Sequence, residues 1–235
     1  MGERPGVTRK SAYEAAEERL RVPPIRRRGL ENENPPELGF WQLLREDFET
    51  HDYNPFEQGF WAVATHRFGN WRLGLKNPLL RAPCSLAYDA LERGVELFGG
   101  ITLPCTTKLG RRVRLWHHGG MIIGARAIGC DVQIRQNTTI GVAHAWREED
   151  LPIIEDGVDI GCGVSILGPV VVGRGAKLGA NAVVLEDVPD GATAIGNPAR
   201  LWVAPTPAAL NGAHSNPFDA GPVRADIEPE FPRGA

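Results

Sequence analysis

Aliphatic residues recur every sixth position through the middle of the chain. They run Leu103, Leu109, Leu115, then Ile122, Ile128, Ile134, Ile140, then Ile154, Ile160, Ile166, Val172, Leu178 and Val184. Gly follows many of them directly, as in Leu109-Gly110, Ile140-Gly141, Ile160-Gly161 and Leu178-Gly179. A period of six fits neither a helix nor a flat strand. It predicts a mainly β fold, a β-helix in which three six-residue edges make one triangular coil. Each aliphatic residue points inward and stacks on its counterpart one coil earlier, and the Gly or small polar residue beside it takes a crowded corner.

The period breaks twice. The step from Leu115 to Ile122 is seven residues, across Trp116-His117-His118-Gly119-Gly120, and the step from Ile140 to Ile154 is fourteen. The longer break predicts a loop extruded over 142–152, carrying His144, Trp146, Arg147, Glu148, Glu149 and Asp150. Insertions in a solenoid become loops on one face, often the binding face. The His pair and the extruded loop are therefore the candidate sites.

Before the coils the period changes to that of helices. Apolar residues are helically spaced from Leu38 to His51, from Phe56 to Leu75 and from Leu79 to Leu97, where Gly99-Gly100 ends the pattern. Ser11 to Leu20 predicts a short helix with Ser11 as cap and Glu14 as its capping-box partner. The expected organisation is a flexible N-terminus with a short helix (1–36), an α-helical domain (37–100), a β-helix domain (101–204) and a flexible tail (205–235). Arg26-Arg27-Arg28 reads as a solvated charge run, and lone His51 and His66 in the helical part read as packing or surface residues.

Composition narrows the function classes. A net charge of −3 among 235 residues argues against a nucleic-acid partner attracted by bulk charge. No apolar run approaches a membrane span, and the first residues lack a signal peptide's apolar core. Four scattered Cys residues without a Cys-x-x-Cys pair read as reduced, and a cytoplasmic location is expected.

Leu115-Trp116-His117-His118-Gly119-Gly120, Gln136 to Val142, Pro152 to Gly161, Val172 to Ala180 and Gly196-Asn197-Pro198-Ala199-Arg200 together resemble the serine acetyltransferase family of hexapeptide-repeat acyltransferases. The likeness covers about 100 residues strongly, and Arg45-Glu46-Asp47 and His66-Arg67-Phe68-Gly69 extend it into the helical part. The resemblance implies a left-handed β-helix, a homotrimer or dimer of trimers, acetyl-CoA as acyl donor, a small-molecule hydroxyl acceptor and a pocket between subunits. It puts the general base at His117, with His118 as the fallback. Trp116, His144, Trp146 and Asp150 would meet the acceptor, and Gly141, Cys162, Ala180, Lys177 and Arg200 would meet CoA. No metal is expected.

The chain also departs from the family. The Asp that precedes the catalytic His there is Trp116 here, and the Asp that orients the imidazole falls near Ile101 or Thr102. The Arg-His-Pro that grips the amino acid corresponds to Asp150-Leu151-Pro152. Serine's ammonium and carboxylate would need such partners, whereas a Trp suits a sugar ring or an apolar acceptor. Asp47, Glu148 or Glu149 are the other acids that could orient the His. Sugar O- or N-acylation, a longer acyl group, a non-catalytic scaffold, and a zinc site built from His117, His118 and His144 are the alternatives.

Overall fold

The computed structural model describes residues 9–23, 31–143 and 150–202. The expectations for the extreme N-terminus, the triple-Arg run, His144 to Glu149 and the 205–235 tail lie outside the described residues. Described residues up to Leu201 form one compact unit.

Among the described residues four α-helices come first: α1 (Arg9–Arg19), α2 (Phe40–Thr50), α3 (Gln58–Leu73) and α4 (Pro78–Gly94), the last running into a π-helical turn at Val95–Gly99. Helix α1 starts at Arg9, so Ser11 lies inside it rather than at its cap. Asn77 caps α4, its side chain accepting the Leu79 N–H, and Pro78 occupies the first turn, where its missing N–H costs nothing. Gly100 ends the helical part with a left-handed φ of 62°. None of the helices among the described residues is long and apolar enough to cross a membrane.

The rest is a left-handed parallel β-helix of about five coils. Face A carries β1 (Ile101–Thr102), β4 (Met121–Ile123), β7 (Thr139–Gly141), β10 (Ser165–Leu167) and β13 (Val183–Val184). Face B carries β2 (Lys108–Leu109), β5 (Ala127–Ile128), β8 (Ile153–Ile154) and β11 (Val171–Val172). Face C carries β3 (Arg114–Trp116), β6 (Gln133–Arg135), β9 (Asp159–Ile160), β12 (Lys177–Leu178) and β14 (Thr193–Ile195). The last strand among the described residues is β15 (Arg200–Trp202).

The predicted inward residues are buried with one exception. Ile122 points outward and is 54% exposed, while Ile123 is fully buried and pairs with Ile140. The break after Leu115 is therefore eight residues long, and the following step to Ile128 is only five. A second inward row, two residues before the first, fills the corners with Val113, Val132, Val158, Val164, Ala176 and Ala182.

The open N-terminal end of a β-helix exposes core and unpaired backbone, and buried polar groups are stable only when hydrogen-bonded. Helix α3 closes that end. His66 Nε2–H donates to the Thr107 carbonyl (2.8 Å), Asn70 to Cys105 (2.9 Å), and Arg67 to Leu109 and Gly110 (2.8 and 2.6 Å). Arg67 also holds Asp47 of α2 at 2.9 Å, both side chains fully buried. Gly59 lets α3 approach closely, since a Cβ there would lie 2.2 Å from the Leu115 carbonyl oxygen. Helix α1 covers face B, with Ala16 against Ile153 and Val171.

Candidate active site

The corner between faces C and A holds the candidate chemistry. Trp116 of β3 pairs with Arg135 of β6, and Ile122 of β4 pairs with Thr139 of β7. Counting inward from those pairs puts Gly120 opposite Asn137, and a Cβ on Gly120 would lie 2.5 Å from Asn137 Oδ1. Three residues, His117, His118 and Gly119, thus arch over the single residue Gln136. This arch is the two-residue surplus that shifts the phase of the aliphatic ladder.

The arch is pinned from both sides. Gly119 N–H donates to the Gly99 carbonyl at 2.9 Å, and Asn137 N–H donates to the Gly119 carbonyl at 3.1 Å. His117 adopts a left-handed φ of 63°, which costs about 1 kcal/mol or more in a residue with a Cβ and persists only where the surroundings impose it. Both His117 and His118 are exposed, and neither imidazole is tied to a structural carbonyl.

Trp116 forms the wall beside His117, their ring centroids 6.4 Å apart. Its Nε1–H donates to Gln133 Oε1 at 2.6 Å, and the Arg114 guanidinium stacks 3.5 Å from its ring centroid. Arg114 in turn pairs with Asp52 and lies 3.9 Å from Glu57. Asp52 and Tyr53 both take left-handed φ values at the end of α2, and Arg114 holds the Asp52 carboxyl below its ordinary range.

The two helical histidines are structural. His51 Nδ1–H donates to the Asp47 carbonyl at 2.7 Å while its Nε2 accepts the Leu115 N–H at 3.3 Å; burial pushes its pKa down. Burial, reinforced by neighbouring Arg67, pushes His66 down to about 3. Asp47 is locked on Arg67 inside the molecule, so it does not orient an imidazole at the arch. Thr102, where the resemblance seeks the orienting acid, instead meets Glu96 Oε1 at 3.4 Å.

Face C fixes the order of the remaining candidates. Asp159 and Ile160 pair with Gln133 and Ile134 on one side and with Lys177 and Leu178 on the other. Counting on from those pairs aligns His117, Gln136, Cys162 and Ala180 along one edge of the prism. Adjacent parallel strands lie about 4.8 Å apart, so Cys162 is about 10 Å and Ala180 about 15 Å from His117 along that edge. Lys177 projects outward from β12, and Arg200 is exposed on β15. Gly141 ends β7, at the opposite edge of face A. Asp150 precedes Leu151, whose carbonyl accepts the Tyr13 hydroxyl of α1 at 2.6 Å, so within one chain it also lies away from the arch. His144 and Trp146 lie outside the described residues. Among those described, no three His, Cys, Asp or Glu side chains converge as metal ligands would.

Sequence reasoning missed Asp52, Glu57, Arg114, Gln133 and Gln136. Only the 19-residue offset between Trp116 and Arg135 could have shown Gln133 opposite Arg114 and Gln136 beneath the arch.

No protein-family model matches the chain. It is 32% identical over 169 residues to serine acetyltransferase of Bacillus licheniformis, covering 70% of this chain and 78% of that one. It is 39% identical over 145 residues to serine acetyltransferase of Salmonella typhimurium, 61% of this chain but only 50% of that relative's length. Among solved structures, soybean serine acetyltransferase matches with a TM-score of 0.59 as the apoenzyme and 0.58 with serine bound. Both are 30% identical and cover 69% of each chain.

Proposed function

Because the chain belongs to the serine acetyltransferase family and is an acyltransferase, we propose that it moves an acetyl group from acetyl-CoA to the hydroxyl of a small acceptor, with His117 as general base. The observation that carries this reading is the arch: an exposed imidazole on a strained, pinned backbone at one end of an edge lined by small residues.

A neutral imidazole near pH 7 can take the acceptor's hydroxyl proton as the oxygen attacks the thioester carbonyl. The tetrahedral intermediate then expels the CoA thiolate, which recovers the proton from the imidazolium, leaving an O-acetyl ester and free CoA. A pantetheine arm whose thiol lies at His117 runs along the edge past Cys162 and Ala180, and Lys177 and Arg200 are the basic residues toward its phosphate end. Gly141 ends β7 at the opposite edge of face A, so it would meet the same groove only across a subunit boundary. A homotrimer would supply that boundary, with His144, Trp146 and Asp150 contributed by the neighbour.

Serine is bound by the soybean relative and is the first acceptor to try. One observation favours a second reading of the acceptor. Trp116 puts an indole held by Arg114 and Gln133 beside the base, and such a flat apolar surface suits a sugar ring.

The test is thiol release from acetyl-CoA with L-serine and a panel of sugars. His117→Ala should lower turnover at least about 100-fold, as removal of a general base does. Undiminished turnover in His117→Ala, with loss in His118→Ala, would move the base to the neighbouring residue.

A further inference from the structure

Gln136 lies alone under the three-residue arch, and its Oε1 is buried without a hydrogen-bond partner. A buried amide oxygen left unsatisfied costs about 1–3 kcal/mol, so its persistence calls for a donor that arrives in the working state. By the Trp116–Arg135 register, the next position along the edge in the N-terminal direction is His117, about one strand spacing away. Its imidazole has one N–H in the neutral form, and it is exposed with no structural acceptor of its own. Around the arch Gln133 Oε1 is engaged with Trp116, Arg114 with Asp52, and Arg135 with Asp159, while His118, exposed like His117, sits one residue farther along the arch.

We propose that Gln136 is the positioning residue of the base, accepting one imidazole N–H of His117 on Oε1 so that the other nitrogen is left bare to take the acceptor's proton. The proposal rests on the reading of His117 as base. A base is set in one tautomer by the hydrogen bond its other nitrogen makes. A carboxylate in this role would also favour the imidazolium, whereas a neutral amide fixes the tautomer and leaves the charge uncompensated. The competing group is Glu96, whose carboxylate reaches Thr102 from the end of the helical part.

The charged and titratable groups around the arch are His118, Arg114 with Asp52 and Glu57, Arg135 with Asp159, Cys162 two coils on, and Glu96. Two variants and two controls separate their effects from that of Gln136. With the full-length protein and acetyl-CoA, Gln136→Met should lower kcat by about 10-fold or more, as loss of an orienting partner does, with KM changed less than about 3-fold. Gln136→Glu keeps an acceptor and should retain most of kcat while moving the acidic limb of the kcat profile to higher pH. In ¹⁵N-histidine NMR, with His117→Ala to identify the resonance, Gln136→Met should alter the His117 tautomer ratio and Gln136→Glu should raise its pKa. Those readouts need no acceptor. Unchanged His117 resonances in both variants would overturn the proposal, as would a shift produced by Glu96→Gln but not by Gln136→Met. If His117→Ala keeps full activity, the assignment of the base fails instead. If His117→Ala is inactive while Gln136→Met behaves as wild type, only the positioning role fails.

Discussion

The most exposed stability claim concerns the ion pair that closes the first coil. Asp47→Asn keeps the shape of the side chain and removes its charge, leaving the Arg67 guanidinium fully buried and facing only carbonyl oxygens. Arg67 makes its 2.9 Å contact to Asp47 with zero exposure on both sides. Removing one partner of such a pair costs about 3–5 kcal/mol. At about 2–4 °C per kcal/mol for a domain of this size, the melting temperature should fall on the order of 10 °C. Arg67→Met should be worse still, because it also strips the donors from the Leu109 and Gly110 carbonyls, each worth about 1–3 kcal/mol when orphaned. The double variant Asp47→Leu/Arg67→Met should recover part of the summed loss, since two apolar residues leave no lone charge. Scanning calorimetry at one fixed protein concentration reads all three, concentration being held because any self-association couples to stability. A loss under about 1 kcal/mol in Asp47→Asn would refute the view that this pair seals the coil.

Three other outcomes follow from the same geometry. His66 binds a proton in the unfolded chain near its ordinary pKa but in the folded chain only near 3, so the unfolded state holds more protons between those values. Stability should therefore fall as pH drops from about 6.5, by about 2 kcal/mol at pH 5; His66→Gln should flatten that slope in denaturant titrations at pH 7 and pH 5, and an equal slope would contradict the buried neutral imidazole. Gly59→Ala puts a Cβ 2.2 Å from the Leu115 carbonyl oxygen and should cost about 1–3 kcal/mol while also lowering turnover, because the displaced strand leads into the arch; an unchanged melting temperature would mean that α3 does not rest on β3 as described. Trp116→Ala should raise KM for a ring-bearing acceptor by about 10-fold with little change in KM for acetyl-CoA, given roughly 1–3 kcal/mol for a stacked ring, and equal effects on both substrates would remove Trp116 from the acceptor's path.

Much of this architecture is legible in the chain because a β-helix writes its core at a fixed period. Leu109, Leu115, Ile128 and their successors can point only one way, so spacing alone locates them. The reading slips at Met121-Ile122-Ile123, where three apolar residues compete for one inward place. The phase there is decided by the arch, two residues longer than hexapeptide counting allows. Helix α3 is harder. His66, Arg67 and Asn70 look like polar interruptions of an apolar segment, and only the open end of the prism explains them as donors to Thr107, Leu109 and Cys105. For the same reason Asp47 looks available for catalysis in sequence and is committed to Arg67 in the fold. As a candidate base, His117 stands out through the resemblance and the irregular spacing; Gln136 does not, because its place beside His117 depends on which coil lies next to it.

The central claim is that a thioester lying along the Cys162–Ala180 edge presents its carbonyl to His117. A crystal structure of the protein with CoA tests it most directly. The account predicts the pantetheine running parallel to the prism axis, with the sulfur within about 4 Å of the His117 imidazole, near the distance at which reacting groups engage. A CoA bound with its sulfur at another edge of the prism, or with both arch imidazoles turned away from it, would contradict the account.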